Sequence, residues 1–206
     1  MVIAMEIYIL RHGETPWNVQ RRFQGHSDIA LNENGRELAG KTGEALEDTD
    51  FDIIYSSPLI RAYETACLVR GHRNIEIIRD ERIKEMGFGV NEGKDGPTLF
   101  ADTSSPFHYF FDAPEKYEAP EGGESIEAVM ARAKDFLQKV IEPKEKEWHR
   151  VLISGHGAVN KALLAVMLGR EKKDFWTGNV QHNCAITVVR LKNGRYELLE
   201  DALCLI

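Results

Sequence analysis

The stretch MEIYILRHGETPWN, residues 5–18, joins a run of strand-forming residues to a cluster of polar and charged side chains. Met5 to Leu10 are typical of a β-strand that ends in a polar turn. Arg11, His12 and Gly13 follow directly. Binding sites in open α/β sheets form beyond the carboxyl ends of the strands. Arg11 and His12 are therefore the first candidate functional residues.

Outward from this stretch, strand-forming and helix-forming runs alternate along the chain, which predicts the α/β class with a mainly parallel sheet. The predicted strands are Met5–Leu10, Phe51–Tyr55, Ile75–Ile78, Val151–Ser154, Ala185–Leu191 and Tyr196–Glu200. The predicted helices are Leu31–Leu46, capped by Asn32 or Asn34, Ile60–Val69, Glu124–Lys146 and Ala158–Leu168. We expect a single domain over residues 1–206, built as a three-layer α/β/α sandwich with a mixed, mostly parallel sheet.

The segment from Glu85 to Gly123 differs from the rest because it is rich in Gly, Pro, Asp and aromatic residues and shows no long periodicity. Long loops in compact domains are usually functional or disordered, and the aromatic residues favour an ordered one. We predict an inserted lid over about residues 93–121. Three roles remain open for its aromatic run, Phe107 to Phe111: contact with substrate, core packing or a dimer contact.

The composition restricts the class of protein. Apolar residues make up 43% and charged residues 29%, as in soluble globular proteins. A formal net charge of -7 disfavours a nucleic-acid-binding protein. It is compatible with a small anionic substrate, because arginines can form a local positive cluster.

Three widely spaced cysteines, Cys67, Cys184 and Cys204, are typical of reduced thiols in a cytoplasmic protein. The apolar run from Met1 to Leu10 lacks a basic start and a cleavage signature, so we predict a strand there and no signal peptide. No apolar run approaches the roughly 18 residues of a membrane span. The expected location is the cytoplasm, with no membrane contact. A homodimer remains open, because Leu203 to Ile206 could pack on the core or on a partner subunit.

Three predicted strands lead to residues suited to phosphate chemistry. The first ends at Arg11 and His12, the second leads to Arg61 after Ser57-Pro58, and the fourth ends at His156. If these strands are neighbours, two histidines and two arginines converge on one edge of the sheet. Arginine forks bind phosphate oxygens in pairs, and they stabilise charge in the transition state.

A histidine without its second proton is a good nucleophile toward phosphorus. A nearby cation would help to keep His12 neutral at about pH 7. Glu85, just after the third predicted strand, is the candidate that protonates the leaving group and then deprotonates water. Taken singly, each of these residues is more often structural, so the prediction depends on their joint pattern.

Five ordered blocks extend this pattern over nearly the whole chain: RHGET at 11–15 with WN at 17–18, SSPLIRA at 56–62, EMGFG at 85–89, GGES at 122–125 and SGHG at 154–157. Together they resemble the signature of the histidine phosphatase superfamily, the phosphoglycerate mutase-like enzymes. The resemblance implies that His12 becomes phosphohistidine and that Glu85 is the general acid and then the base. It further implies a phosphoryl pocket that is formed by Arg11, Arg61 and His156, with Asn18 as an additional donor and Gln24 as a wall residue. It implies no metal and no cofactor.

Two departures from the family pattern bear on the activity. Asn91 stands where the phosphatase branch often has Trp, which affects the lid and the substrate contacts. Met86 to Gly89 follow Glu85, where the mutase branch usually has Arg-His-Tyr-Gly. We therefore favour a phosphomonoester hydrolase that acts on a small phosphorylated metabolite. A phosphomutase and a catalytically inactive binding module remain the alternatives.

Cys184 and Arg190 have the C-x5-R spacing of cysteine phosphatases. Those enzymes need a Gly-rich loop whose backbone amides surround the phosphate. The intervening residues, AITVV, instead predict a strand, so we reject a cysteine phosphatase.

Overall fold

A six-stranded mixed sheet forms the centre of the protein in the computed structural model, which describes residues 4–206. The strands are β1 (Met5–Arg11), β2 (Ile53–Ser56), β3 (Ile77–Arg79), β4 (Arg150–Gly155), β5 (Ile186–Lys192) and β6 (Arg195–Leu203). The sheet order is β3-β2-β4-β1-β5-β6. The pairs β1/β4, β2/β4 and β2/β3 are parallel, whereas β1/β5 and β5/β6 are antiparallel. The predicted mixed, mostly parallel sheet is confirmed.

Helices cover both faces of the sheet, because successive side chains of the buried strands point to opposite faces. The α-helices are α1 (Pro16–Val19), α2 (Glu33–Ala45), α3 (Ile60–Arg70), α4 (Gly96–Ala101), α5 (Ile126–Phe136) and α6 (Gly157–Met167). Ile7 and Ile9 of β1 belong to the core under α5 and α6, whereas Leu10 belongs to the core under α2 and α3. This arrangement is the predicted three-layer α/β/α sandwich.

Polar side chains and proline set the helix boundaries that differ from the predictions. Asn32 is the cap of α2, and its side chain accepts a hydrogen bond from the Gly35 amide. The helix predicted over Glu124–Lys146 is regular only within α5, which Ser125 caps. It continues as a π-type turn at Leu137–Ile141 and a 3-10 turn at 142–144. Proline 143 has no N–H to donate, which prevents a regular helix from continuing.

The segment over 93–121 is ordered by short helical turns and aromatic packing. It contains α4 and two 3-10 turns, Pro106–Tyr109 and Pro114–Lys116. Phe107 and Phe110 are buried and pack beside Phe23, whereas Phe111 is 46% exposed. The aromatic run therefore supplies core residues, and its end also reaches the functional cavity described below.

The hairpin between β5 and β6 turns at Asn193 and Gly194. Both residues have positive φ, as the predicted tight hairpin requires.

Of the apolar run from Met1 to Leu10, residues 1–3 lie outside the described part of the chain. Within residues 4–206, no helix is both long and apolar enough to cross a membrane.

A close approach of two backbone segments fixes the loop after β1 against the first turn of α2. A β-carbon on Gly35 would lie 2.1 Å from the carbonyl oxygen of Glu14. A β-carbon on Gly13 would lie 2.6 Å from the carbonyl oxygen of Gly35. Main-chain atoms on both sides leave no room for a side chain, so glycine is required here.

We expect Gly35→Ala to destabilise the protein by about 1–3 kcal/mol, because two backbone segments would have to separate. Gly40→Ala, in the same helix, is the matched control. A β-carbon at Gly40 would meet nothing within 4 Å, so alanine should add about 0.5–1 kcal/mol of helix stability. Urea unfolding of both variants measures the difference. Equal stability of the two variants would contradict the close approach.

Candidate active site

The carboxyl ends of β1, β4 and β2 lie side by side. Arg11 is in register with Gly155, and Ser56 is in register with Ser154. The amide of His12 donates to the carbonyl of Gly155 at 3.0 Å. The strands expected to be neighbours are therefore neighbours, and the residues that follow them meet at one edge of the sheet.

A cavity of about 310 Å³ opens at this edge. Six of the seven predicted site residues line it: Arg11, His12, Asn18, Gln24, Arg61 and Glu85. The structure places the seventh, His156, in the wall behind Arg61. The cavity is also lined by Phe110 and Phe111 of the aromatic run, and by residues that the sequence analysis did not place in the site, among them Arg22, Lys161 and Trp176.

His12 presents one free ring nitrogen. Its Nδ1 lies 2.6 Å from the carbonyl oxygen of Gly13. A carbonyl can only accept, so Nδ1 carries the hydrogen and Nε2 keeps its lone pair in the neutral ring. Burial, together with the charges of Arg61 and Arg11, holds the pKa of His12 well below its usual value. A neutral histidine with a free Nε2 is suited to attack on phosphorus.

Arg61 is a fully buried cation held by three hydrogen bonds. Its Nη2 donates to the Gly25 carbonyl at 2.8 Å, and its Nη1 donates to the Ser27 carbonyl at 2.9 Å. Burial lowers the pKa of Arg61 to about 10, so it is still charged at neutral pH. Its position is therefore fixed before any ligand binds, and each terminal nitrogen has a second hydrogen to offer.

His156 supports Arg61 from behind. Arg61 Nε donates to His156 Nδ1 at 3.1 Å, so the hydrogen of the neutral ring is on Nε2. That nitrogen donates to the Ser57 hydroxyl at 2.8 Å. Burial and the charge of Arg61 hold the pKa of His156 well below its usual value. Both ring nitrogens thus engage protein groups, and a ligand contact from His156 would require one of these bonds to be exchanged.

Arg11 offers an unused donor beside His12. Its Nη1 donates to the Gln181 carbonyl at 2.6 Å, whereas its buried Nε has no hydrogen-bond partner among the described residues. Burial lowers the pKa of Arg11, and the charge of Glu85 opposes that shift. A buried N–H of a cation without a partner is costly, so this group favours the binding of an anion.

Glu85 meets the N-terminus of α6 at the cavity. Its Oε1 accepts from the amides of Met86 at 2.9 Å and Val159 at 3.0 Å. Its Oε2 has one longer contact, 3.3 Å, from the amide of Ala158. Oε2 is therefore the atom with remaining capacity to exchange a proton with a ligand.

A threonine that the sequence analysis did not place in the site orients two amide side chains. The Thr15 amide donates to Asn18 Oδ1 at 3.1 Å, and the single hydrogen of the buried Thr15 hydroxyl is donated to Gln24 Oε1 at 3.0 Å. With both amide oxygens directed to Thr15, the two NH₂ groups remain for the cavity. The signal was present in the sequence, because Thr15 and Asn18 have capping-box spacing and do form that motif.

The segment between Cys184 and Arg190 does not form a phosphate-binding loop, because Ile186–Lys192 is strand β5. Burial raises the pKa of Cys184 to about 12, and Arg190 pairs with Glu197 at 3.2 Å. Among residues 4–206, no group of three or more His, Cys, Asp or Glu side chains is placed to hold a metal ion.

Comparison with known proteins identifies the family. The sequence profile of the histidine phosphatase superfamily, branch 1, matches residues 7–202. The chain belongs to this superfamily.

Its relatives in the superfamily have more than one activity. Phosphoserine phosphatase 1 of Hydrogenobacter thermophilus is 30% identical over 95% of this chain and 91% of its own length. A probable phosphoglycerate mutase of Erwinia tasmaniensis is 32% identical over 80% of this chain and 75% of its own. The solved structure of Bacillus stearothermophilus YhfR superimposes with a TM-score of 0.88 and 35% identity, covering 96% of both chains. The predicted family and the predicted enzyme class, a phosphoric monoester hydrolase, are confirmed.

The lowered pKa values of His12 and His156 predict a loss of stability in mild acid. Histidine in an unfolded chain has a pKa of about 6.5. As the pH falls through that value, the unfolded chain binds protons that the two buried rings do not. Each ring should then lower the free energy of unfolding by about 1.4 kcal/mol per pH unit.

NMR titration of the ring protons measures both states directly. At about pH 6.5, both rings should be neutral in the folded protein and half protonated in urea. Half-protonated rings in the folded protein would show that burial and the arginines do not exclude the proton.

Thr15→Val should lower kcat/KM for a phosphate ester about 10-fold, because the Gln24 amide loses the hydroxyl that orients it. Thr15→Ser keeps the hydroxyl and should restore most of the loss. Steady-state kinetics on folded variants tests this positioning role. Equal impairment of the valine and serine variants would mean that the methyl group, and not the hydroxyl, matters.

Proposed function

We propose that this protein hydrolyses phosphomonoesters in two steps through a phosphohistidine at His12. The observation that carries the proposal is the neutral His12, whose ring has a free Nε2 and which lines a cavity together with the buried Arg61 and the partly buried Arg11. No metal or cofactor takes part in the steps below.

In the first step, His12 Nε2 attacks the phosphorus atom and the ester P–O bond breaks. Glu85 enters this step protonated and gives its proton to the leaving alcohol oxygen. Arg11 and Arg61 donate hydrogen bonds to the phosphoryl oxygens and follow their charge into the transition state. Since Arg61 is already fixed by protein bonds, little reorganisation is needed as the reaction proceeds.

In the second step, water displaces His12 from phosphorus. The Glu85 carboxylate takes a proton from the attacking water, the P–N bond breaks, and inorganic phosphate leaves. His12 regains its lone pair, and Glu85 is again protonated for the next turnover. The amides of Asn18 and Gln24 hold the phosphoryl group during both steps, and His156 acts through Arg61.

The volume of the cavity, about 310 Å³, supports a small phosphorylated metabolite as substrate. A phosphomutase would share the first step but return the phosphoryl group to an organic acceptor. Because one relative is named a probable phosphoglycerate mutase, the test below also covers that alternative. A binding module would have no need for the four groups His12, Arg61, Glu85 and His156.

The test is hydrolysis of p-nitrophenyl phosphate in excess EDTA. We expect turnover by the wild type and a loss of at least about 10³-fold in His12→Ala, because the nucleophile is removed. His72→Ala, at an exposed histidine far along the chain, is the matched control and should match the wild type. Mass spectrometry of acid-sensitive phosphate on rapidly quenched protein checks the intermediate on His12.

Full activity of His12→Ala would refute the phosphohistidine mechanism. Phosphorylation of His12 with little release of inorganic phosphate, relieved by a phosphorylated organic acceptor, would instead identify a phosphomutase. If the wild type hydrolyses no phosphate ester and never becomes phosphorylated, the result would favour the binding module.

A further inference from the structure

Lys161 is a buried cation in the wall of the cavity that the proposed reaction does not use. It lies on α6, one helical turn after Gly157, and it is 6% exposed. Residues four apart lie on the same helix face. Gly157 and Lys161 both line the cavity. Lys161 therefore lies about 6 Å along the helix from the end that contacts Glu85.

The charge of Lys161 is only partly compensated by the protein. Its Nζ donates to the carbonyls of Thr177 at 3.1 Å and Asn179 at 2.9 Å. The Thr177 carbonyl also accepts from Arg170. Among residues 4–206, Lys161 forms no ion pair with a carboxylate within 4.0 Å. The nearby Asp201 carboxylate instead accepts from the Asn179 amide at 2.7 Å.

Burial lowers the pKa of Lys161, and Asp201 opposes that shift only in part. A lysine ammonium has three donors, and two are used by carbonyl groups. The third is available to a ligand in the cavity, and an anionic ligand would compensate the buried charge.

The charges of the side chains that line the cavity also favour an anionic ligand. Four cationic side chains line it, Arg11, Arg22, Arg61 and Lys161, against one carboxylate, Glu85. The protein as a whole has a formal net charge of -7, so this excess is local. A phosphoryl dianion held by Arg11 and Arg61 leaves Lys161 and the more exposed Arg22 without an anion.

We propose that Lys161 binds a carboxylate on the leaving group, so that the substrates are phosphorylated small carboxylic acids. This inference rests on the proposed function for its phosphoryl end. The carboxylate would pair with Nζ while the ester oxygen faces Glu85, and the aromatic wall with Phe110 and Trp176 would exclude water from both contacts. A charge-assisted hydrogen bond in a buried site discriminates strongly against a substrate that lacks the charge.

The test compares two phosphate esters that differ by one carboxylate, O-phosphoserine and O-phosphoethanolamine. In the wild type, kcat/KM should be about 10- to 100-fold higher for O-phosphoserine. Lys161→Met should reduce that ratio at least about 10-fold, and Lys161→Arg, which keeps the charge, should retain most of it. Calorimetric binding of the same two esters provides a readout that does not need turnover.

Lys172→Met is the matched control, because Lys172 also donates to a main-chain carbonyl, that of Tyr117 at 3.1 Å, but does not line the cavity. Its ratio of kcat/KM for the two esters should equal that of the wild type. Thermal unfolding shows which variants are folded. If Lys161→Met does not fold, the ratio measured for the wild type still tests the inference.

The inference fails if the wild type does not prefer O-phosphoserine, or if folded Lys161→Met keeps the preference. Hydrolysis of p-nitrophenyl phosphate by the wild type in that case leaves the proposed function intact. If no ester is hydrolysed, the proposed function fails. Calorimetry then still tests the carboxylate site, because it compares the binding of the two esters to the wild type and to Lys161→Met.

Discussion

The buried guanidinium of Arg61 is the constraint on which the rest of the site depends. It sits at the start of α3 and holds the Gly25 and Ser27 carbonyls, so it joins the layer of α3 to the loop that carries Gln24. Its third bond fixes the ring of His156. Its charge also helps to keep both buried histidines neutral. Removing the Arg61 cation would thus disturb both the position of these groups and the neutral state of the two histidines.

The charge of the cavity is opposite in sign to the net charge of the protein. The chain is acidic overall, with a formal net charge of -7, yet its cavity is lined by four cations. Glu85 is the one carboxylate that lines the cavity among the described residues, and backbone amides of α6 hold it in place. A low-dielectric wall strengthens each of these interactions relative to water. The arrangement suits an anion that enters from solvent and is desolvated on binding.

The segment over 93–121 connects the core to the cavity. Phe107 packs among aromatic rings of the core, whereas Phe110 and Phe111 reach the cavity wall. Trp176 joins this wall from a distant part of the chain and donates to the Phe110 carbonyl at 2.6 Å. The candidate site residues therefore lie at the edge of the sheet, and the aromatic wall of the cavity comes from loops. Differences among members of one fold family are expected in such loops.

The order of strands and helices and the residues that end the strands could be predicted from the sequence, because hydrophobic periodicity and strand-end residues are local signals. Which strands are neighbours, and therefore whether Arg11, His12 and Arg61 meet, is a property of the tertiary structure. The tertiary structure also placed His156 behind Arg61, gave Thr15 two amides to orient and buried Lys161 in the cavity. Hydrogen-bond partners and desolvation depend on residues far apart in the chain, and no local pattern encodes which carbonyl or carboxylate will lie within reach.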